Sequence, residues 1–172
     1  FLMNVLGCDV LEDKKLAKKL GFKYVSLEEL LSTSDIITLH VPYNNNTHHL
    51  INSDNMRLIK KGAYLINTSR GGVIETNVLL RTLADGTIGA AGLDVLEEEK
   101  IIKEEINLLS KESSPKTDFK VLLENHILME RDNVIITPHN AFNSKEALYN
   151  VLETIVENIK AFAKNKPINM VN

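Results

Sequence analysis

The chain has 172 residues, 44% of them hydrophobic and 25% charged, which is enough for one domain with a sizeable core. Its net charge of −3 offers no basic footprint for nucleic acid, and no apolar run approaches the roughly 18 residues that a membrane span needs. Cys8 is the only cysteine, so this stretch has no internal disulfide and suits a reducing, cytoplasmic setting.

Strand and helix patterns alternate along the chain. The run from Leu2 to Cys8 is apolar and ends in Asp9; because the chain opens inside it, a segment is expected to precede Phe1. Glu12 to Leu20 reads as a lysine-rich helix that Gly21 stops, and Lys23 to Val25 as a brief extended piece. Ser26 is placed to cap a short helix through Leu31, with Glu29 completing a capping-box pattern. Asp35 to Val41 is a buried-strand pattern that Pro42 ends. Ser53 is expected to cap a further short helix to about Ile59, and Ala63 to Asn67 forms the next strand. A helix from Glu75 to Ala84 stops near Gly86, and a glycine-rich strand runs from Ile88 to Val95. Glu97 to Asp132 is irregular and charge-rich, with a loop signal at Ser113-Ser114-Pro115 and a short helix over Val121 to Met129. Val134 to Thr137 is the last strand. Ser144 then caps a long helix to about Asn165, with an apolar stripe through Ala147, Leu148, Val151, Leu152, Ile155, Ile159 and Phe162.

Alternation of this kind predicts an α/β fold, a doubly wound parallel sheet with helices on both faces. Short, continuous apolar strands are expected where both faces of a sheet are covered. In such a sheet ligands bind beyond the C-terminal ends of the strands, so the residues that follow each strand carry the functional reading. Asp9 follows the first strand run. An acid there can accept hydrogen bonds from ribose hydroxyls, or it can be a helix N-terminal acid favoured by the macrodipole. Arg70 stands between Ser69 and Gly71-Gly72. A guanidinium on such a loop can grip a carboxylate bidentately, or it can be a surface arginine beside a turn. Glu97, Glu98 and Glu99 follow a later strand and read by themselves as a solvated charge cluster. His139 follows Pro138; by itself it is an ordinary loop histidine, as are His40, His48, His49 and His126. It is the combination of arginine, glutamate and histidine, each after a separate strand, that points to proton transfer on an anionic substrate.

Other chemistries lack their signatures. No H-E-x-x-H or Cys/His cluster suggests a metal, and no G-x-S-x-G elbow suggests a serine hydrolase. The G-x-G-x-x-G fingerprint of dinucleotide binding is also absent, since Gly86, Gly89 and Gly92 have the wrong spacing. A pyrophosphate loop, if the chain binds a dinucleotide, is expected upstream of Phe1 and about 20 residues before Asp9.

Several segments together resemble the D-isomer-specific 2-hydroxyacid dehydrogenases. They are Ser26-Leu-Glu-Glu-Leu30, Ser34-Asp-Ile-Ile-Thr-Leu-His-Val-Pro42, His49-Leu-Ile-Asn52, Leu65-Ile-Asn-Thr-Ser-Arg-Gly-Gly72, Gly89-Ala-Ala-Gly-Leu-Asp-Val95 and Val134-Ile-Ile-Thr-Pro-His139. Pro138-His-Asn-Ala-Phe142 and the long insert before it are most similar to the D-lactate dehydrogenase branch.

The resemblance implies a Rossmann-like NAD-binding domain over residues 1–166, N-terminally truncated, with 167–172 starting a return to a substrate domain. It also implies the roles. Arg70 corresponds to the substrate-binding arginine, Glu99 to the catalytic glutamate and His139 to the acid/base histidine, which leaves Glu97 and Glu98 as bystanders. Asp9, Val41, Pro42, Thr47, Thr68, Ser69, Arg70, Asp94 and His139 would line the NAD site. Arg70 and His139 would meet a small 2-keto or 2-hydroxy acid. Lys100 stands where many members have proline, although the lactate-like branch also lacks that proline. The implied activity is NAD-dependent interconversion of a 2-keto acid and a D-2-hydroxy acid, by a cytoplasmic homodimer without nucleic-acid or membrane partners. An NAD-sensing corepressor-like module and an inactive fragment are the other readings the same resemblance leaves open.

Overall fold

The apolar run Ala63-Tyr-Leu-Ile-Asn67 becomes an inner strand because its alternate residues Ala63, Leu65 and Asn67 face a core in which Leu65 is fully buried. The computed structural model describes residues 3–99 and 119–170. They fall into two units, Phe1–Pro138 and His139–Asn172. The loop signal at Ser113-Ser114-Pro115, and Lys100, lie outside the described residues.

In the first unit β1 (Leu6–Gly7) pairs in parallel with β2 (Lys23–Tyr24). A second, wholly parallel sheet has the order β3 (Ile36–Leu39), β4 (Ala63–Asn67), β5 (Ile88–Leu93), β6 (Val134–Ile136). Helices α1 (Lys14–Leu20), α2 (Leu27–Thr33), α3 (Thr76–Ala84) and α4 (Phe119–Met129) lie between the strands in sequence. This is the α/β, Rossmann-like parallel arrangement that the alternation predicts.

Local signals explain most boundaries. Asp13 caps α1 by accepting from the amides of Lys15 and Leu16, both at 2.9 Å. Gly21 ends it in the left-handed region at φ 76°, where a side chain is costly. Ser26 Oγ accepts the Glu29 amide at 3.1 Å, as a capping serine should. Ser53 behaves otherwise. Residues Met56–Leu58 form only a single 3-10 turn, preceded by Asn55. Asn52 and Asn55 bond the local backbone there, Asn55 Oδ1 accepting the Asn52 amide at 3.0 Å and its Nδ2 donating to Leu50 O at 2.7 Å. These side chains stabilise a turn in competition with a regular helix.

The core lies on one face of the four-stranded sheet. Leu31, Ile37, Leu65, Leu79, Ile88 and Leu128 are each 2% exposed or less, and full burial of such a side chain contributes about 1.5–3 kcal/mol. Opposite them Ile36, Tyr64, Ile66 and Ile135 are exposed. Apolar strands predict burial on both faces; here the pleat sends alternate residues out, and β3 and β4 alternate between buried and exposed residues.

The second unit is dominated by α5 (Lys145–Ala163). Ser144 Oγ caps it by accepting the Ala147 amide at 3.1 Å. The apolar stripe forms as its spacing predicts, and none of the helix's residues is buried.

Candidate active site at the strand ends

Register brings the functional segments to one edge. Leu39, Asn67 and Leu93 are successive partners across β3, β4 and β5, and Leu93 pairs with Ile136 of β6. All four strands therefore run out along one line. His40 to Pro42, Thr68 to Arg70, Asp94 and Thr137 begin at that edge, where a parallel sheet leaves room for a ligand.

The Arg70 loop is built by Asn67. This side chain is almost wholly buried. Its Oδ1 accepts from the Ser69 amide at 3.0 Å and from the Ser69 hydroxyl at 2.8 Å, while Nδ2 donates to Arg70 O at 2.9 Å. One amide side chain thus folds the chain back on itself and presents Arg70, which is exposed, with Nη1 donating to Ser69 O at 2.7 Å. Thr68 Oγ1 lies 3.5 Å from His40 Nδ1, and His40 Nε2 meets Thr38 Oγ1 at 2.9 Å. Gly71 is required by proximity. A Cβ there would lie 2.0 Å from the carbonyl carbon and oxygen of Leu96 and 2.2 Å from the Glu97 nitrogen.

Asp94 is a buried carboxylate at the end of β5. Its amide donates to Asn67 O at 2.9 Å, and Thr137 Oγ1 donates to its Oδ1. Glu99 is half-buried, directly after the turn at Glu97 and Glu98. Glu97 departs from its reading as a solvated bystander. Its side chain is 13% exposed, and Oε1 lies 2.6 Å from His49 Nε2. Oε2 accepts from the Thr76 hydroxyl at 2.7 Å and from the Thr76 amide at 3.2 Å. The Glu75 side chain makes no capping bond to α3, so Glu97 supplies an acceptor for the first orphan amide of that helix. His49 correspondingly is not an ordinary loop histidine.

Asp9 is exposed beyond β1, with Oδ1 accepting the Leu11 amide at 3.0 Å. The cap of α1 is Asp13, not Asp9. The Cys8 thiol beside it is held above its ordinary pKa, first by partial burial and then by the Asp9 and Glu28 carboxylates. Val41 is half-buried and Pro42 exposed. Thr47 Oγ1 donates to Pro42 O at 2.6 Å and accepts the Asn44 amide at 2.9 Å, so its hydroxyl is engaged in shaping its own loop. In the second unit His139 is half-buried and adopts φ 55°. His49 and Glu98 share that left-handed region, at 48° and 52°, which costs on the order of 1–2 kcal/mol for each L residue. Such strain concentrates where function requires a fixed geometry.

Three contributors lie outside the expected site residues: Asn67, Glu97 and His49. Asn67 does carry a signal, since an asparagine ending a strand before Thr-Ser is suited to bonding its own backbone two residues on. Glu97 carries none, because its partners lie 21 and 48 residues away.

Residues 1–141 match the model of the family described as D-isomer specific 2-hydroxyacid dehydrogenase, NAD binding domain. Among individual relatives, the D-specific alpha-keto acid dehydrogenase of Enterococcus faecium is 39% identical over 93% of this chain and 47% of its own length. The glyoxylate reductase of Thermococcus litoralis is 39% identical over 100% of this chain and 46% of its own. Among solved structures, the D-lactate dehydrogenase of Aquifex aeolicus complexed with NAD and lactic acid superposes with a TM-score of 0.80 at 42% identity, covering 95% of this chain and 47% of that one. The chain spans about half the length of the curated relatives it matches. It belongs to the D-isomer-specific 2-hydroxyacid dehydrogenase family and matches that family's NAD-binding domain.

Proposed function

We propose, from the chain's membership of this family, that the full-length protein is an NAD-dependent oxidoreductase. It interconverts a 2-keto acid and a D-2-hydroxy acid, in the manner of a D-lactate dehydrogenase. The observation that carries this reading is the common edge. Arg70 and Asp94 leave adjacent, in-register strands at their C-terminal ends, with an exposed guanidinium on one and a buried carboxylate on the other.

The donor set fits the cofactor. A buried carboxylate held by a neighbouring hydroxyl is suited to receive an amide N–H from the nicotinamide carboxamide. Asp9 offers an exposed carboxylate beyond β1, suited to ribose hydroxyls and unfavourable to a 2′-phosphate. When bound, NADH supplies the hydride, chemistry the protein itself does not perform.

The chain's residues supply the rest. Arg70 clamps the keto acid's carboxylate and so orients C2. His139 donates a proton to the oxygen as negative charge develops on it. Glu99 is assigned as the acid that assists this proton transfer. Thr68, Ser69, Val41, Pro42 and Thr47 border the cofactor. We assign residues 1–166 to the NAD-binding domain and 167–172 to the return toward a substrate domain, within a cytoplasmic homodimer.

The test is a steady-state assay of the full-length protein with NADH and small 2-keto acids. His139→Ala should lower kcat by at least about 100-fold. Turnover at the parent rate in that variant would remove His139 from the mechanism. NADH binding without turnover in the parent protein would favour a regulatory module instead.

A further inference from the structure

Glu97 joins segments that are distant in sequence. Its carboxylate meets His49, from the loop after β3, and Thr76, at the start of α3; its main-chain oxygen accepts Asn125 Nδ2 of α4 at 2.8 Å. A carboxylate only accepts, so the Nε2 hydrogen of His49 is directed at Oε1. His49 is tied in turn to the Arg70 loop. Its amide donates to Gly72 O at 2.8 Å, and two residues on the Ile51 amide donates to Val73 O at 3.1 Å. Its ring stacks on His48 with centroids 3.9 Å apart, and His48 Nδ1 lies 2.9 Å from the Tyr43 hydroxyl. Tyr43 closes over Gly72, where a Cβ would lie 2.8 Å from that same hydroxyl. The Arg70 loop is therefore enclosed by the Leu96–Glu97 backbone at Gly71 and by Tyr43 and His49 at Gly72.

We propose that the Glu97–His49 pair positions the site, fixing the Arg70 loop and the turn before Glu99 in a single mutual geometry. The proposal rests on the dehydrogenase reading above and adds two positioning residues to it. The pair lies between the two halves it would hold. Glu97 is two residues before Glu99 in the chain, and His49 is one hydrogen bond from Gly72. The strained backbones of His49 and Glu98 need such restraint, since left-handed conformations in L residues persist where surrounding contacts over-determine them. A half-buried polar pair is also a poor way to gain stability alone, because an apolar pair of similar volume avoids the desolvation cost.

Kinetics of the full-length protein, with NADH and a 2-keto acid that the parent reduces, separate positioning from bulk stability. Glu97→Ala and His49→Ala should each lower kcat/KM by ~10²-fold per folded molecule, the scale of a 1 Å misplacement of reacting groups. KM for the keto acid should rise, because the loop that the pair holds carries the guanidinium proposed to grip its carboxylate. His49→Gln, whose amide nitrogen can stand where Nε2 stands, should recover kcat/KM to within about threefold of the parent. Should Glu97→Ala fail to fold, the comparison of His49→Ala with His49→Gln decides the matter alone. Unchanged kcat and KM per folded molecule in the alanine variants, with only a lower melting temperature, overturns the positioning role and leaves the dehydrogenase reading standing. A parent protein that reduces no 2-keto acid overturns both.

Discussion

Gly71→Ala is the sharpest single perturbation of this fold. Position 71 does not use a left-handed backbone, so the effect comes wholly from space. The added methyl would lie 2.0 Å from Leu96 C and O and must open to about 3.4 Å for ordinary contact. The obstructing atoms belong to the main chain and cannot rotate away as a side-chain tip would. Overpacking of this kind costs about 1–3 kcal/mol. Relief requires the Arg70 loop and the Leu96–Glu97 segment to separate by more than 1 Å, a displacement that in a positioned site costs roughly 100-fold in rate. Gly92→Ala is the control. Its Cβ would meet only Ile66 Cγ1, at 3.8 Å, and restricting the unfolded chain is worth about 0.4–1 kcal/mol in the stabilising direction. Urea denaturation of both variants, at unchanged m-value, reads the difference as a shift in midpoint. Gly71→Ala should fall clearly below the parent and Gly92→Ala should match or exceed it. Coincident midpoints would refute the claim that the backbone approach at Gly71 governs this loop.

Two further outcomes follow from named contacts. Asn67→Ala removes the acceptor of Ser69 and the donor to Arg70 O. It should cost about 1–3 kcal/mol in a urea melt and raise KM for the keto acid, whereas Asn67→Asp should preserve the Ser69 half of the turn. The Cys8 thiol, its pKa raised by burial and by the Asp9 and Glu28 carboxylates, holds less thiolate at pH 8 than a free cysteine and should react more slowly with iodoacetamide. Asp9→Asn removes one raising charge, lowers that pKa and should speed the reaction; a slower rate would reverse the sign of this argument.

The parts of this protein legible in one dimension are those whose causes are local. The Ser26 and Ser144 caps, the Gly21 stop and strand Ala63–Asn67 each follow from residues within about four positions, because capping and pleat alternation are short-range. The Arg70 loop was legible for the same reason: the turn, the guanidinium and the glycines are contiguous. Only the tertiary structure decided that Glu97 takes a histidine as partner, and which of the five histidines it takes. Three adjacent glutamates look alike to any local rule. Glu97 meets His49 through a hydrogen bond spanning 48 residues, and that bond exists only once parallel strands have carried their loops to a common edge. The same holds for Ser53, a plausible cap by type, which lost its helix to the side-chain bonds of Asn52 and Asn55. Patterning could place the strands and the residues after them; packing alone could choose among chemically equivalent neighbours, because burial and partnership are properties of three-dimensional proximity.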